Sequence, residues 1–458
     1  MIDFDTTTIT LESKAGLNLI SKILTFAMTQ VSNNTEYDLD TLKSKSLLEN
    51  EAIYKTLVGL NSMGFTNFSD VEQFRNNEVF KECLNLKFTP AQETLRLYLE
   101  KERSANFIEH CNLVNIELLK KISFSFEKIT DKYIPLDFDV TPMINPKCNK
   151  EECSRTYKGE DGFAPLMSYL GSYCIGAELR PGKQHSQKGS IPFVQKVLDN
   201  AKEILALEDY SKVLCRFDSG HDSVDTIDVL DKNNVNFIIK KKCRRNDYSQ
   251  DLLERAKSLY DKKISYDYRQ TTVYYGYFTQ IYPVGKEDVT NKAQIAFKIK
   301  ESYEDKKGNS SLLFPEIEVE LYWTNLIEDA ITVVNLYHDH ATSEQYHSEI
   351  KTDLNFERLA SGKYRVNEML LAAITNAYNI LRILGDITLL NQFYLPEGTK
   401  GNKDRIRMKT ILRDVIYSSA RYMRKGRNMV LRLYKKNPWT ELLLRIDKFI
   451  NIYFPLSV

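Results

Sequence analysis

Residues 134–141, IPLDFDVT, read as a β-strand with two acidic residues set into it, Asp137 and Asp139. Residues at i and i+2 of a strand share a face, so these two carboxylates point the same way. A carboxylate in an apolar strand is costly unless something satisfies it. Further on, FAPLMSYL (163–170) and YCIGAELRPG (173–182) predict two more strands, with turn-forming residues between them. A helix is predicted over about 191–207, a fourth strand in KVLCRFDSG (212–220), a helix over about 223–231 and a fifth strand in VNFIIKK (235–241). This order makes an α/β unit. Asp218 closes its fourth strand, at the C-terminal edge where such sheets commonly place their ligands.

Outward from this unit, the chain divides by texture. Residues 1–128 carry apolar side chains at helical spacing and predict a helical N-terminal domain. Within it, Thr89-Pro90 ahead of AQETLRLYLE reads as a helix start. Thr94 and Arg96 on that helix are candidates for DNA contact, although a plain amphipathic helix is the simpler reading. The α/β unit takes 129–243 as its first part. Residues 244–323 interrupt it with TTVYYGYF, AQIAFKIK and EIEVELYW, which alternate as antiparallel strands do and predict a mainly β insertion. The second part is expected over 324–395, followed by a basic helical C-terminal region over 396–458.

With 458 residues the chain is long enough for two to four domains. Its net charge of +1 hides a local excess, because residues 400–436 hold 13 Lys or Arg against two Asp. Such a patch can neutralise many phosphates while acidic segments cancel it in the total. The seven cysteines form no CxxC pair and read as free thiols in a reducing cytoplasm. Cys148 and Cys153 lack a matching Cys/His pair at zinc-ligand spacing. The N-terminus has no signal-peptide order, and the apolar stretch Met369–Leu390 is broken by Asn376, Asn379, Arg382 and Asp386, so it reads as a buried helix and not a membrane span.

A third carboxylate stands out at Glu344. Thr342-Ser-Glu-Gln345 predicts a helix start with a capping box. Taken as one continuous helix, Tyr337, His340, Glu344 and Lys351 fall at offsets of 0, 3, 7 and 14. At about 100° per residue they lie within roughly 60° of one another. If the helix begins at Thr342, Glu344 and Lys351 still align. A polar stripe at that spacing makes a poor core and a good active-site face. Three carboxylates on separate elements suit two Mg²⁺ or Mn²⁺ ions, which take oxygen ligands and serve in-line phosphoryl transfer.

The combination resembles the DDE transposases of bacterial insertion sequences, in the branch with a Tyr, Arg, Glu and Lys signature. YHDHATSEQYHSEIK matches that signature with Tyr337, Glu344 and Lys351, and His340 stands where the family has Arg. YWTNL, with Thr324 and Asn325, resembles its lead-in, and YRVNEMLLAAITNAYNILR, with Asn367, Asn376 and Asn379, its sequel. LDFDVT resembles the first-Asp motif, with Asp139 as the catalytic position and Asp137 as the fallback, and CRFDSG supplies Asp218. Tyr157, Gly162-Phe-Ala-Pro-Leu166 and Leu179-Arg-Pro-Gly182 also match the family's texture. The likeness runs over about 53–434.

The resemblance implies an RNase-H-like mixed sheet flanked by helices and interrupted by a β insertion. It also implies cut-and-paste transposition with Asp139, Asp218 and Glu344 as catalytic metal ligands, through a hairpin in some relatives. The implied partners are the element's terminal inverted repeats and target DNA, bound by a homodimer near the bacterial nucleoid. Tyr337, His340 and Lys351 would hold phosphates, and the smaller, partly charged His340 would hold them less firmly than Arg. Other candidate DNA contacts are Arg180, the cluster Lys240, Lys241, Lys242, Arg244 and Arg245, and the C-terminal Arg413, Arg421, Arg424, Lys425 and Arg427. Competing readings are a nuclease of the same fold without strand transfer and a non-catalytic DNA-binding descendant. His110, His185, His221 and His347 show no partner geometry in the sequence.

Overall fold

In the computed structural model, the described residues are 11–34, 46–101, 104–122, 126, 132–279, 294–304, 311–339, 343–396, 405–426 and 428–456. A short strand β1 (Leu11–Glu12) precedes five helices: α1 (Leu17–Asn34), α2 (Ser46–Asn61), α3 (Glu78–Cys83), α4 (Gln92–Glu100) and α5 (Ser104–Lys120). Helix α4 starts two residues later than Thr89-Pro90 suggested. Its N-cap is Ala91, and Glu72 Oε1 accepts the Gln92 N–H at 2.7 Å.

The α/β unit forms as its strand pattern predicts. Strand β2 (Ile134–Val140) is followed by a small sheet of β3 (Met143–Ile144), β4 (Ser154–Arg155) and β5 (Asp161–Phe163), which the sequence reading did not anticipate. Then come β6 (Leu166–Leu170), β7 (Tyr173–Glu178), α6 (Ser190–Leu205), β8 (Val213–Phe217), α7 (Val224–Lys232) and β9 (Asn236–Lys240). Strands β2, β6 and β7 pair antiparallel, while β2, β8 and β9 pair parallel. Pleating sorts the side chains of β2. Phe138 stacks on Phe217 at 4.4 Å and meets Phe193 of α6, so Asp137 and Asp139 face the opposite side.

After the unanticipated α8 (Gln250–Leu259) and β10 (Tyr260–Tyr266), the predicted antiparallel strands form as β11 (Thr271–Thr279), β12 (Gln294–Glu304) and β13 (Ser311–Thr324), with β10 added at the edge beside β11. They do not stand apart as an inserted domain. The end of β13 pairs with β9, giving one nine-stranded sheet in the order β10-β11-β12-β13-β9-β8-β2-β6-β7. Thr324 and Asn325 secure this seam. Thr324 Oγ1 donates to Phe237 O at 2.8 Å, while Asn325 accepts from Phe237 N–H and donates to Val235 O.

Helices α9 (Ala330–His338), α10 (Ser343–Ser348) and α11 (Tyr364–Leu390) then cover the acidic face of the sheet. The single helix imagined from Tyr337 to Lys351 is not what forms: α9 ends at His338, α10 begins at Ser343, and a π-helical turn follows over Glu349–Asp353. His340 and Thr342 lie outside the described residues.

The C-terminal region corrects a second expectation. Beyond α12 (Met408–Ile411) and the π-helical turn Leu412–Ile416, the basic segment is not helical. It forms a hairpin of β14 (Ala420–Lys425) and β15 (Asn428–Leu433), turning at Gly426 with φ +64°, and β14 also pairs with β1. Side chains from both termini, Leu17 to Phe454 of the segment after α13 (Thr440–Tyr453), share one apolar core with the central sheet. Among the described residues, no helix is long and apolar enough to cross a membrane.

Candidate active site

Two parallel strands bring the first two acids together. In β2 and β8, Asp137 lies opposite Arg216 and Phe138 opposite Phe217. One residue further along come Asp139 and Asp218, just beyond the last pair of this register, on strands about 4.8 Å apart. Alternation turns both toward the face away from the stacked phenylalanines. The third parallel strand adds a cation to this row. Phe217 pairs with Ile239, so Lys240 follows beside Asp218, with its Nζ 5.9 Å from the Tyr337 ring centroid.

Asp137 and Asp139 share a face but have different surroundings. Arg216 donates through Nε and Nη2 to the two carboxylate oxygens of Asp137 at 2.6 and 2.7 Å, and its Nη1 bonds Leu336 O of α9. Both partners are about 1% exposed, so Asp137 is consumed in a buried ion pair that seats α9 on the sheet. The side chain of Asp139 keeps 21% of its surface, and that of Asp218 keeps 44%.

Each accessible acid has a buried histidine beside it. His221 Nδ1 lies 3.0 Å from Asp218 Oδ1, which also accepts the Gly220 N–H. His347 Nε2 lies 3.1 Å from Asp139 Oδ2, outside hydrogen-bond alignment, and its Nδ1 is 3.4 Å from the Tyr169 hydroxyl. Neither histidine suggested a role in the sequence. Each lies three residues after an acid, Asp218 to His221 and Glu344 to His347, but that spacing does not reveal that His347 meets Asp139.

Glu344 is exposed on α10, on the helix that His347 holds against β2. The loop residue Tyr157, 71% exposed, connects all three acids: partial burial raises its phenol, and Asp139, Asp218 and Glu344 each push it further up. Burial likewise raises the Tyr337 phenol, with Asp218, Asp139 and Asp137 adding to it. Burial lowers the Lys351 ammonium, Glu357 and Asp139 oppose the shift, and Lys158 adds to it. Lys351 Nζ donates to Pro142 O at 3.3 Å, just past the end of β2. Among the described residues, no three His, Cys, Asp or Glu side chains close on a single ion position.

Helix α10 has only six residues, and side chains from the C-terminal segment fix it in place. Glu349 is 1% exposed and sits between Arg405 Nη1 at 2.7 Å, Arg382 Nη2 at 3.6 Å and the Met408 N–H at 3.1 Å. Arg405 also donates to Gln345, and Arg407 donates through two nitrogens to Asp353.

The family described as Transposase DDE domain group 1 matches residues 2–452. The chain belongs to this family. Among solved structures, it is similar to a piggyBac transposase in a cryo-EM synaptic complex with hairpin DNA, at 11% identity and a TM-score of 0.38, over 88% of this chain and 78% of that one. No curated protein matches it.

In this transposase the remaining site residues fall into two groups. Lys241, Lys242 and Arg244 leave β9 at the edge where Asp218 ends β8, and Lys242 and Arg244 are exposed. Lys241 Nζ lies 3.5 Å from Asp247. By contrast, Arg180 is turned into the protein. It is 1% exposed, its Nε donates to Glu178 at 2.6 Å, and its Nη1 and Nη2 donate to Ser186 O and Gly189 O, which braces the loop before α6. Arg96 is paired along its own helix with Glu93 and Glu100, in keeping with the plain amphipathic reading. The Cys153 thiol is pushed up to about 12, first by burial and then by Cys148.

Proposed function

We propose that this transposase cuts DNA at the ends of a mobile element and joins the released 3′ ends to target DNA, at a site built from Asp139, Asp218 and Glu344. What supports this is that Asp139 and Asp218 follow the paired Phe138 and Phe217 at the ends of adjacent parallel strands, and that Glu344 of α10 acts together with both on the Tyr157 phenol. The donor set fits Mg²⁺ or Mn²⁺. Asp139 and Asp218 present carboxylate oxygens with solvent access, and such ions need one or two carboxylates beside water and substrate phosphate. Glu344 lies on a separate short helix, so it suits a second ion or the substrate-loaded state. When bound, divalent ions of this kind supply charge stabilisation for the attacking and leaving oxygens.

The protein's own groups do the rest. His221 and His347 hold the two aspartates in place from the buried side. Lys240, Lys242, Arg244 and Lys351 surround the acidic row with positive charge, where DNA phosphates would lie, and Tyr337 shields its rear. A homodimer would pair two element ends in the synaptic assembly.

The test is a strand-transfer assay with pre-cut element ends, plasmid and Mg²⁺. Asp218→Ala should abolish cleavage and joining while end binding persists. Cleavage by Asp218→Ala at the wild-type rate would refute the assignment. Wild-type cleavage with no joined product would favour a nuclease.

A further inference from the structure

The C-terminal hairpin carries cations on both faces, and the two faces are not alike. Its register sets Arg421 opposite Arg432, Met423 opposite Val430, and Lys425 opposite Asn428. Pleating puts these on one face and Tyr422, Arg424, Met429, Leu431 and Leu433 on the other. The second face packs inward: Tyr422, Met429, Leu431 and Leu433 line a cavity shared with Leu19 of α1 and Leu443 of α13. Arg424 lies on that side of the ladder but is itself exposed, with its Nε 3.3 Å from Met429 Sδ.

The outer face has no such explanation. Arg421, Lys425 and Arg432 are exposed, and among the described residues no carboxylate pairs with any of them. Like charges directly opposite one another on a ladder repel. A ribbon that keeps two guanidiniums in register suits a partner that brings its own regularly spaced negative charges. Phosphate matches guanidinium geometry with two parallel hydrogen bonds.

We propose that this outer face, Arg421, Lys425 and Arg432, is a contact surface for the DNA backbone, and that Arg424 is not part of it. The proposal rests on the reading that DNA is the substrate. Binding to a short random-sequence duplex, followed over a salt series, tests both. The double variant Arg421→Gln/Arg432→Gln should lower the slope of log K against log salt by about two units, since each phosphate contact contributes about 0.9. Arg424→Gln should leave the slope unchanged. Melting of the DNA-free double variant should not fall, because removing opposed charges relieves repulsion.

If it does fall, the charge-keeping variant Arg421→Lys/Arg432→Lys decides the matter. A wild-type slope there supports the ribbon contact, and a slope as low as the glutamine variant's overturns it. A wild-type slope in the glutamine double variant, or an equal loss in Arg424→Gln, also overturns it while leaving the active-site reading intact. Failure of the wild-type protein to bind duplex at all would overturn both.

Discussion

At the scale of single residues, the feature that separates this site from a row of surface carboxylates is the histidine behind each aspartate. His347 is 3% exposed, its ring lies edge-on to Tyr169 at 5.1 Å, and it meets Asp139 from the one helix that also carries Glu344. It therefore sets the distance between two acids on different elements. Groups that orient a metal-binding carboxylate typically change metal affinity or activity about 10- to 100-fold when removed. His347→Ala should lower cleavage turnover by about that factor while the Kd for duplex DNA stays constant, and His347→Gln should recover part of the loss. A Kd that weakens in step with turnover would show that His347 acts on DNA binding instead. Asp139, Asp218 and Glu344 could be singled out as candidates in the sequence because each sits in a short motif. His347 and His221 were not, because their importance depends on the β2–β8 register and the docking of α10, which no local pattern encodes.

At the scale of elements, a six-residue helix cannot hold its own position, since helices this short are marginal without tertiary contacts. The buried Glu349–Arg405–Arg382 cluster supplies them. Arg405→Ala leaves Arg382 as a weaker partner for Glu349, so the cost should be about 1–3 kcal/mol, below the usual cost of stranding a buried charge. Urea titration measures that loss, and a parallel fall in cleavage would tie it to α10. A second cluster joins β12, β13 and α9. Burial pushes the Glu320 carboxyl up, but Lys298, Tyr322 and His338 outweigh it and hold it at about 2, against an ordinary 4.5. A depressed carboxylate stabilises the fold fully above its unfolded value and loses that contribution as pH falls through the folded one. Glu320→Gln should therefore cost on the order of 1–3 kcal/mol at neutral pH after allowance for solvent screening. The difference from wild type should shrink between pH 4.5 and about 2, as denaturation at several pH values would show. Strands β11, β12 and β13 of this sheet were readable from alternation alone, whereas β10 was not anticipated. The C-terminal hairpin was misread because RYMRKGRNMVLRL satisfies helical spacing and strand alternation together, and its Lys-Gly turn was the cue that separates them.

At the scale of the whole molecule, the N-terminal helices share one apolar core with the central sheet. The sequence showed them as a helical stretch of their own, and Asn376 and Asn379 as polar breaks in an apolar helix. In the structure these breaks are junctions. Asn379 donates to Asn115 of α5 at 2.6 Å and to Cys174 O of β7 at 2.7 Å, and it accepts the Cys174 N–H at 2.9 Å. Asn376 donates to the Tyr54 hydroxyl of α2 and to Cys111 O of α5. One side chain thus satisfies sheet, bundle and covering helix together, a three-way contact invisible to any reading of one segment at a time. Asn379→Leu would leave the Cys174 N–H and the Asn115 carboxamide without this partner in a dry core, at about 1–3 kcal/mol for each group. If the bundle and sheet fold as one unit, that variant should shift a single unfolding transition to lower urea without splitting it. A fragment starting after Ile122 should fail to unfold cooperatively, since it would expose the sheet face that α5 covers. A stable fragment with its own sharp transition would show instead that the N-terminal helices are an independent domain docked on a self-sufficient catalytic core.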